Sequence, residues 1–411
     1  MALMKNTDYV KLAAALGISS TGDGVRIVAL PLLAATLTQD PLQITMMVVV
    51  NRLPWVLFAL SGGFLADRYS RRALMVGIDV MRGLLILAFS AGVLMGAAGI
   101  VLMAIVSFCL GIGETVFSAA NQGMIPDMAE EADLGKANGF IYTLQSVAAN
   151  FVGPALGGFL FSVGRWVPFA LDAASFFGAS ALMSHVSTNG TPQSRLMDGM
   201  MKSIRIGLSW CLRRPVVIAL LSVMAVMNFA QSAMQATLVL YVTQDLGLSA
   251  WWYGIVMSIS GIGAVLGGLI APIVDRQFGF DRIMRLAVAM AIPILVLILA
   301  IPSVWVLMAA LFMNSLIGLL VSVMVATIRQ KIAPRALAGR IASVQAFAAM
   351  GVALPFGALS GGVVASLFGV RAVFVFSVIV CCALSASTIR VLAPARLRER
   401  IDSLVAAAEE A

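Results

Sequence analysis

Charge is scarce in this 411-residue sequence: 27 Lys and Arg and 19 Asp and Glu make up 11% of the chain, against 61% hydrophobic residues. A soluble domain is typically about a quarter charged and about half apolar, so this chain cannot cover a water-facing surface with polar groups. The scarcity excludes a soluble enzyme, a disordered protein and any large extramembrane domain. Histidine is nearly missing: His185 stands alone, so no histidine relay and no His/Cys metal site can be assembled. The four cysteines, Cys109, Cys211, Cys381 and Cys382, show no metal-ligand spacing. They lie in apolar runs or in a basic stretch, which argues against a disulfide framework. No G-x-x-x-x-G-K-[ST] loop occurs, so ATP is not the direct driver of any activity. No nucleophile triad is visible, and the reading is not an enzyme and not a cofactor protein.

What is abundant is long apolar sequence. Charge-poor runs fall at about 9–37, 43–66, 73–96, 99–124, 136–162, 166–187, 214–243, 250–274, 283–301, 304–328, 340–366 and 370–392. Each approaches or exceeds the roughly 20 residues that a transmembrane helix needs, and each is too continuously apolar for a barrel strand. The expectation is therefore an all-α membrane protein with twelve transmembrane helices in two pseudo-symmetric six-helix bundles. The start, MALMKNTDYVKL, leads into an apolar segment without an A-x-A-like cleavage site, and we read it as an uncleaved first span.

The net charge of +8 is a topological signal rather than a nucleic-acid one. With the amino terminus in the cytoplasm, 22 of the 27 Lys and Arg fall inside, two (Arg165 and Arg371) outside, and three (Arg26, Arg52, Arg82) within spans. That bias sets the orientation with both termini cytoplasmic. The longest connection, 188–213, separates a first bundle, 1–187, from a second, 214–392, with a cytoplasmic tail at 393–411. Its stretch RLMDGMMKSIRIGLSWCLRRP mixes bases with apolar residues at helical spacing. It is either an amphipathic helix on the anionic inner leaflet or a solvated linker.

The two bundles echo each other. GGFLADR at Gly62 is similar to GGLIAPIVDR at Gly267, so that Asp67 and Asp275 stand 208 apart. Pro126 and Pro334 share that offset, and GPALGG at Gly153 is similar to GALSGG at Gly357, an offset of 204. Ordered landmarks at nearly one offset indicate duplicated six-helix units.

Charges inside spans are expensive, at least a few kcal/mol each, and so mark function. Seven stand out: Asp23, Arg26, Arg52, Asp79, Arg82, Glu114 and Asp172. Asp23 lies about 21 Å along its helix from Tyr9, deep in the bilayer. It shares a face with Arg26, three residues on, and pairs either with Arg26 or with Arg52. Such a pair is either a permanent brace or a carboxylate that exchanges a proton as its surroundings alternate. Glu114, whose own span holds no base, is the second proton-coupling candidate with Asp23. Asp172 is placed near the outer surface, where it caps a helix or pairs with Arg165. Asn228, Gln231 and Gln235 recur at i, i+3 and i+7, one polar stripe of the seventh span. Phe117 and Asn121 share the Glu114 face. With Arg26, Arg52, Tyr142 and Gln145, Phe117 and the amide stripe make up the candidate substrate contacts, and Met224 and Met227 would make the site adaptable.

The loop GFLADRYSRR, Gly63 to Arg72, resembles the signature G-x-x-x-D-R-x-G-R-R of the major facilitator superfamily, with Ser70 in a position where that family often has Gly. GPALGG resembles the G-x-x-x-G-P-x-x-G-G signature of its exporter branches, with Ala149 replacing the first Gly. SSTGDGVRIVALPLL, TQDP, NRLPW and PDMAEEADLGKANG are similar to the macrolide-efflux and enterobactin-exporter group. The resemblance implies a cytoplasmic gate at Gly63, Asp67, Arg68, Arg71 and Arg72 with its repeat copy at Asp275 and Arg276, braced by Asp79 and Arg82. It implies a hinge at Gly153, Pro154, Gly157 and Gly158, and places the first and seventh helices opposite each other across a central cavity. It further implies a secondary transporter of the bacterial cytoplasmic membrane, monomeric in the bilayer and driven by the proton gradient, that exports an amphipathic small molecule. The alternatives are a lysophospholipid or other lipid translocator of the same fold and, from another class, a membrane sensor or scaffold, which would ordinarily carry a soluble domain.

Overall fold

The computed structural model describes residues 6–125, 128, 133–187, 208–278, 280–332, 341, 344–345 and 347–391. The expected tail and the 188–207 part of the expected linker lie outside the described residues, as do Pro126 and Pro334. So do the side chains of 59–68, and with them those of Asp67 and Arg68. Among the described residues the chain is helical throughout. The helices are α1 (Thr7–Leu37), α2 (Pro41–Arg68), α3 (Arg71–Leu94), α4 (Ile100–Met124), α5 (Leu134–Val147), α6 (Gly153–Val163), α7 (Val167–Ser184), α8 (Pro215–Leu240), α9 (Ala250–Phe278), α10 (Phe280–Ala300), α11 (Val304–Ile332), α12 (Leu354–Phe368) and α13 (Val370–Val391). Nine segments among the described residues are long and apolar enough to cross a membrane, by length and composition. Helix α1 is not one of them, because Ser19, Ser20, Thr21, Asp23 and Arg26 interrupt its apolar surface.

Local chemistry sets the helix ends. Asn6 Oδ1 accepts from the backbone N–H of Asp8 at 3.0 Å and of Tyr9 at 3.3 Å, capping α1. In TQDP, Asp40 Oδ1 accepts from the Leu42 N–H at 2.9 Å and Pro41 opens α2, where its missing N–H costs nothing. Ser70, the departure from the signature loop, has a role of its own: its Oγ accepts from the Ala73 N–H at 3.1 Å and caps α3.

The chain divides into two compact units, Met1–Arg195 with Val242–Ile262, and Leu196–Tyr241 with Gly263–Ala411. Residues 242–262 thus fall with the first unit, where Ser258 Oγ donates to the Phe151 carbonyl at 2.8 Å. The first unit is cored by Tyr9, Leu12, Leu16, Met75, Met124, Ile141 and Met183, and the second by Leu220, Val223, Leu320, Val321 and Met324.

Lipid tails are as apolar as leucine, so helices in a bilayer associate through close backbone packing and buried polar groups rather than through the hydrophobic effect. Both units use the same device. In the first, Gly153 and Gly157 lay α6 on the α1 backbone at Thr21, Gly24 and Val25. In the second, Gly357 and Gly361 lay α12 on the α8 backbone at Phe229 and Ala233. The glycines are 204 residues apart and the backbone they touch is 208 apart, the offsets of the sequence repeat. A π-helical turn precedes each seam, Ala148–Val152 before Pro154 and Phe347–Ala353 before Pro355. A widened turn followed by proline is where a membrane helix changes direction.

Candidate functional site

Five of the seven in-span charges meet inside the first unit. Arg26 of α1 is 5% exposed. Its Nε donates to Asp172 Oδ2 of α7 at 2.8 Å, and its Nη2 engages Asp23 Oδ1 one turn back on α1. Arg82 of α3 is 1% exposed and its Nη2 donates to the same Asp23 oxygen at 2.9 Å. Its Nη1 stands 3.8 Å from Asp79 Oδ1, and its guanidinium lies over the Phe176 ring at 4.2 Å from the centroid. Asp79 and Asp172 are 2% and 0% exposed, whereas the Asp23 side chain keeps 27% of its surface.

Helix geometry explains how they meet. Asp23 and Arg26, like Asp79 and Arg82, are one turn apart and share a face. Small residues bring the helices close enough for the rest. A methyl on Gly22 would stand 2.6 Å from Asp172 Oδ1, one on Gly83 would stand 2.8 Å from the Phe177 ring, and Gly113 of α4 lies against the Arg82 stem. Glu114 is half-buried beside this contact and acts on Arg26 electrostatically. Three carboxylates thus face two guanidiniums, and Glu114 adds a fourth carboxylate, an excess of negative charge in a low-dielectric interior.

This placement corrects one sequence expectation, relocates Arg82 and decides between the two partners open to Asp23. Asp172 pairs with Arg26 rather than with Arg165, because the long guanidinium arm reaches it from α1. Arg82, expected as a brace of the cytoplasmic gate, lies 11 residues, about 16 Å, into α3 and holds Asp23. Arg52 is half-buried and makes none of these contacts, so the Asp23 partner is Arg26 with Arg82, not Arg52.

The other candidates lie apart from the cluster. Phe117 packs against the hydrophobic core of the first unit, Gln145 is half-buried, and Tyr142 is 64% exposed. Gly158 meets Gly254 of α9 on the opposite side of α6 from the α1 seam. Around the signature loop, Arg71 and Arg72 are half-buried, Gly63, Asp67 and Arg68 are helical in backbone, Asp275 is half-buried and Arg276 exposed.

In the second unit the polar stripe is neutral. Asn228 Nδ2 donates to the Met224 carbonyl at 2.7 Å, Gln231 Oε1 accepts from Asn314 Nδ2 of α11 at 2.5 Å, and Gln235 is exposed. Asn314 and Phe176 were missed in the sequence. A lone amide in the apolar run of α11 was the available signal for the first, and nothing in the sequence pointed to the second. Asn314→Ala is expected to destabilise the protein by about 0.6 kcal/mol, the mean for side-chain hydrogen bonds between membrane helices, read from thermal unfolding in detergent.

A bundle of long apolar helices whose few buried charges are paired with one another is the construction of a multi-pass membrane protein. The sequence matches, over residues 1–408, the family described as transmembrane secretion effector. The chain belongs to this family of the major facilitator superfamily.

Relatives include the MFS-type transporter YfiS of Bacillus subtilis (strain 168), 26% identical over 62% of this chain and 61% of that protein. Macrolide efflux protein A of Streptococcus pyogenes is 30% identical over 34% of each chain. The multidrug efflux pump Tap of Mycolicibacterium fortuitum is 25% identical over 87% of this chain and 88% of that one. The chain therefore spans about three fifths and one third, respectively, of the first two relatives.

Solved structures share the fold. The nucleoside transporter NupG matches with a TM-score of 0.78 at 12% identity, covering 94% of this chain and 100% of that one. A bacterial homologue of the iron transporter ferroportin matches with a TM-score of 0.73 at 14% identity, covering 93% and 98%.

Proposed function

We propose that the protein exports an amphipathic small molecule across the bacterial cytoplasmic membrane by alternating access, in exchange for protons, as a monomer with both termini in the cytoplasm. One observation carries the reading: the buried group of Asp23, Asp79 and Asp172 outnumbers its partners Arg26 and Arg82, with Glu114 adding to the excess. A carboxylate excess in a low-dielectric interior is relieved by binding protons, and export is the direction in which a proton gradient can drive their exchange. Asp23, the member with exposed surface, and Glu114, which has no arginine on its own helix, take the exchange role. The neutral stripe of Asn228, Gln231 and Gln235 suits recognition of a substrate with few charges, since amides both donate and accept. The efflux relatives support the direction of transport.

Accumulation of ethidium and of erythromycin in inverted membrane vesicles tests the reading. Proton-driven uptake by the wild-type protein and its fall to the passive level in Glu114→Gln are expected. Full coupling in Glu114→Gln removes Glu114 from the mechanism. Lipid movement in vesicles without any proton gradient, combined with no dye or macrolide accumulation, points instead to a lipid translocator.

A further inference from the structure

Arg82 occupies one of two carboxylates within its reach. Its Nη2 is on Asp23 Oδ1, an oxygen that Arg26 also engages, while its Nη1 stands 3.8 Å from Asp79 Oδ1, too far for a hydrogen bond. Asp79 Oδ1 and Arg82 Nε are buried and have no hydrogen-bond partner. A buried charged group left without a hydrogen bond is costly, and a native interior normally satisfies it in some state. The guanidinium rests flat on a surface that permits movement, since cation–π attraction to Phe176 at 4.2 Å has no fixed donor geometry.

The charged groups around Asp23 are Arg26 on its own helix, Arg82 and Asp79 on α3, Asp172 on α7 and, through Arg26, Glu114 on α4. Arg26 has a second carboxylate in Asp172, bound through Nε, so it stays in place whatever Asp23 does. Arg82 has no such second bond. Asp23 also keeps more of its side-chain surface uncovered than Arg26, Arg82, Asp79 or Asp172.

We propose that Arg82 is a two-position guanidinium, held by Asp23 in this structure and passed to Asp79 when Asp23 takes a proton. Asp79 is then a positioning residue that receives the displaced charge. This rests on the reading of Asp23 as a proton-exchanging carboxylate. In the step one proton adds to the Asp23 carboxylate, no covalent bond breaks, Arg82 keeps its own protons, and its hydrogen bond to α1 is exchanged for one within α3. The bridge between α1 and α3 exists only while Asp23 is charged, so proton binding frees one helix from the other.

Thermal unfolding of the purified full-length chain at neutral pH tests this without a substrate, with Asp23→Asn standing in for the protonated carboxyl. Asp79→Asn is expected to lower Tm about twofold more in the Asp23→Asn background than with Asp23 intact, because two residues that share one partner couple non-additively. Asp79→Glu, which keeps the charge, is expected to restore most of that loss. Equal Tm losses in the two backgrounds overturn the proposal. Should Asp23→Asn fail to fold, the Tm loss of Asp79→Asn with Asp23 intact is followed from neutral to acid pH: a growing loss supports the exchange, and a level or shrinking one overturns it. Vesicle transport separates the two layers. Intact proton coupling in Asp23→Asn defeats the role of Asp23 itself, whereas lost coupling with additive Tm losses defeats only the movement of Arg82.

Discussion

Arg26→Met is expected to be among the most damaging single changes in the chain, costing about 3–5 kcal/mol of stability, the range for removing one partner of a buried ion pair. The reason is what the change leaves behind. Asp172, fully buried, loses the guanidinium it is paired with, and one guanidinium remains to face three carboxylates. Removing Asp172 instead is milder, because Arg26 keeps Asp23 and the five-residue group becomes neutral. The double variant Arg26→Met with Asp172→Asn is expected to recover much of the loss, since Asp23 retains Arg82. Arg26→Lys falls in between: a single ammonium keeps the charge but lacks the forked geometry that spans two carboxylates. Arg52→Met is the control. It makes none of these contacts and is expected to stay within about 1 kcal/mol of wild type. Thermal unfolding in detergent and the monodisperse fraction on size exclusion measure the series. Equal losses for Arg26→Met and Arg52→Met would show that the ionic group is not what holds α1 to α7.

Much of this was legible in the sequence. Charge scarcity and the apolar runs give the helical membrane architecture, because no soluble chain tolerates that ratio. The energetic cost of charge in a bilayer flagged Asp23, Arg26, Asp79, Arg82 and Asp172 one by one. Their gathering was not legible, since helical periodicity says which residues share a face but not which other helix that face meets. Asp172 illustrates the limit. Counted along α7 it begins only five residues after Val167, which suggests an outer position. The contact that matters is made by the Arg26 arm reaching from α1 past Gly22. Gln231 and Asn314 illustrate another: isolated amides on separate helices carry no pattern until the helices are packed. The repeat, in contrast, survived into three dimensions, because a glycine that must touch backbone constrains both its own position and that of its partner.

That seam supplies the second large effect. Gly153→Ala adds one methyl, which would stand 2.6 Å from the Gly24 Cα and 2.8 Å from the Thr21 carbonyl oxygen. Both obstacles are backbone, so no rotamer change in a neighbour can relieve the clash and α6 must move off α1 as a body. Overpacking typically costs 1–3 kcal/mol where side chains can yield, and here the expected loss is about 3 kcal/mol. Gly157→Ala meets the Val25 carbonyl at 2.6 Å and is expected to behave alike. Gly139→Ala reverses the sign. It lies on α5 with nothing near enough to meet an added methyl, and there alanine gains about 1 kcal/mol of helix propensity over glycine. The Tm order is therefore Gly139→Ala above wild type and wild type above Gly153→Ala. The seam also lies directly after the π-turn at Ala148–Val152, where α5 passes into α6. A Gly153→Ala protein recovered in folded form is expected to hold α6 away from α1 and to transport more slowly than its loss of stability explains. Wild-type Tm and wild-type transport in Gly153→Ala would mean that the two helices do not approach as closely as glycine allows.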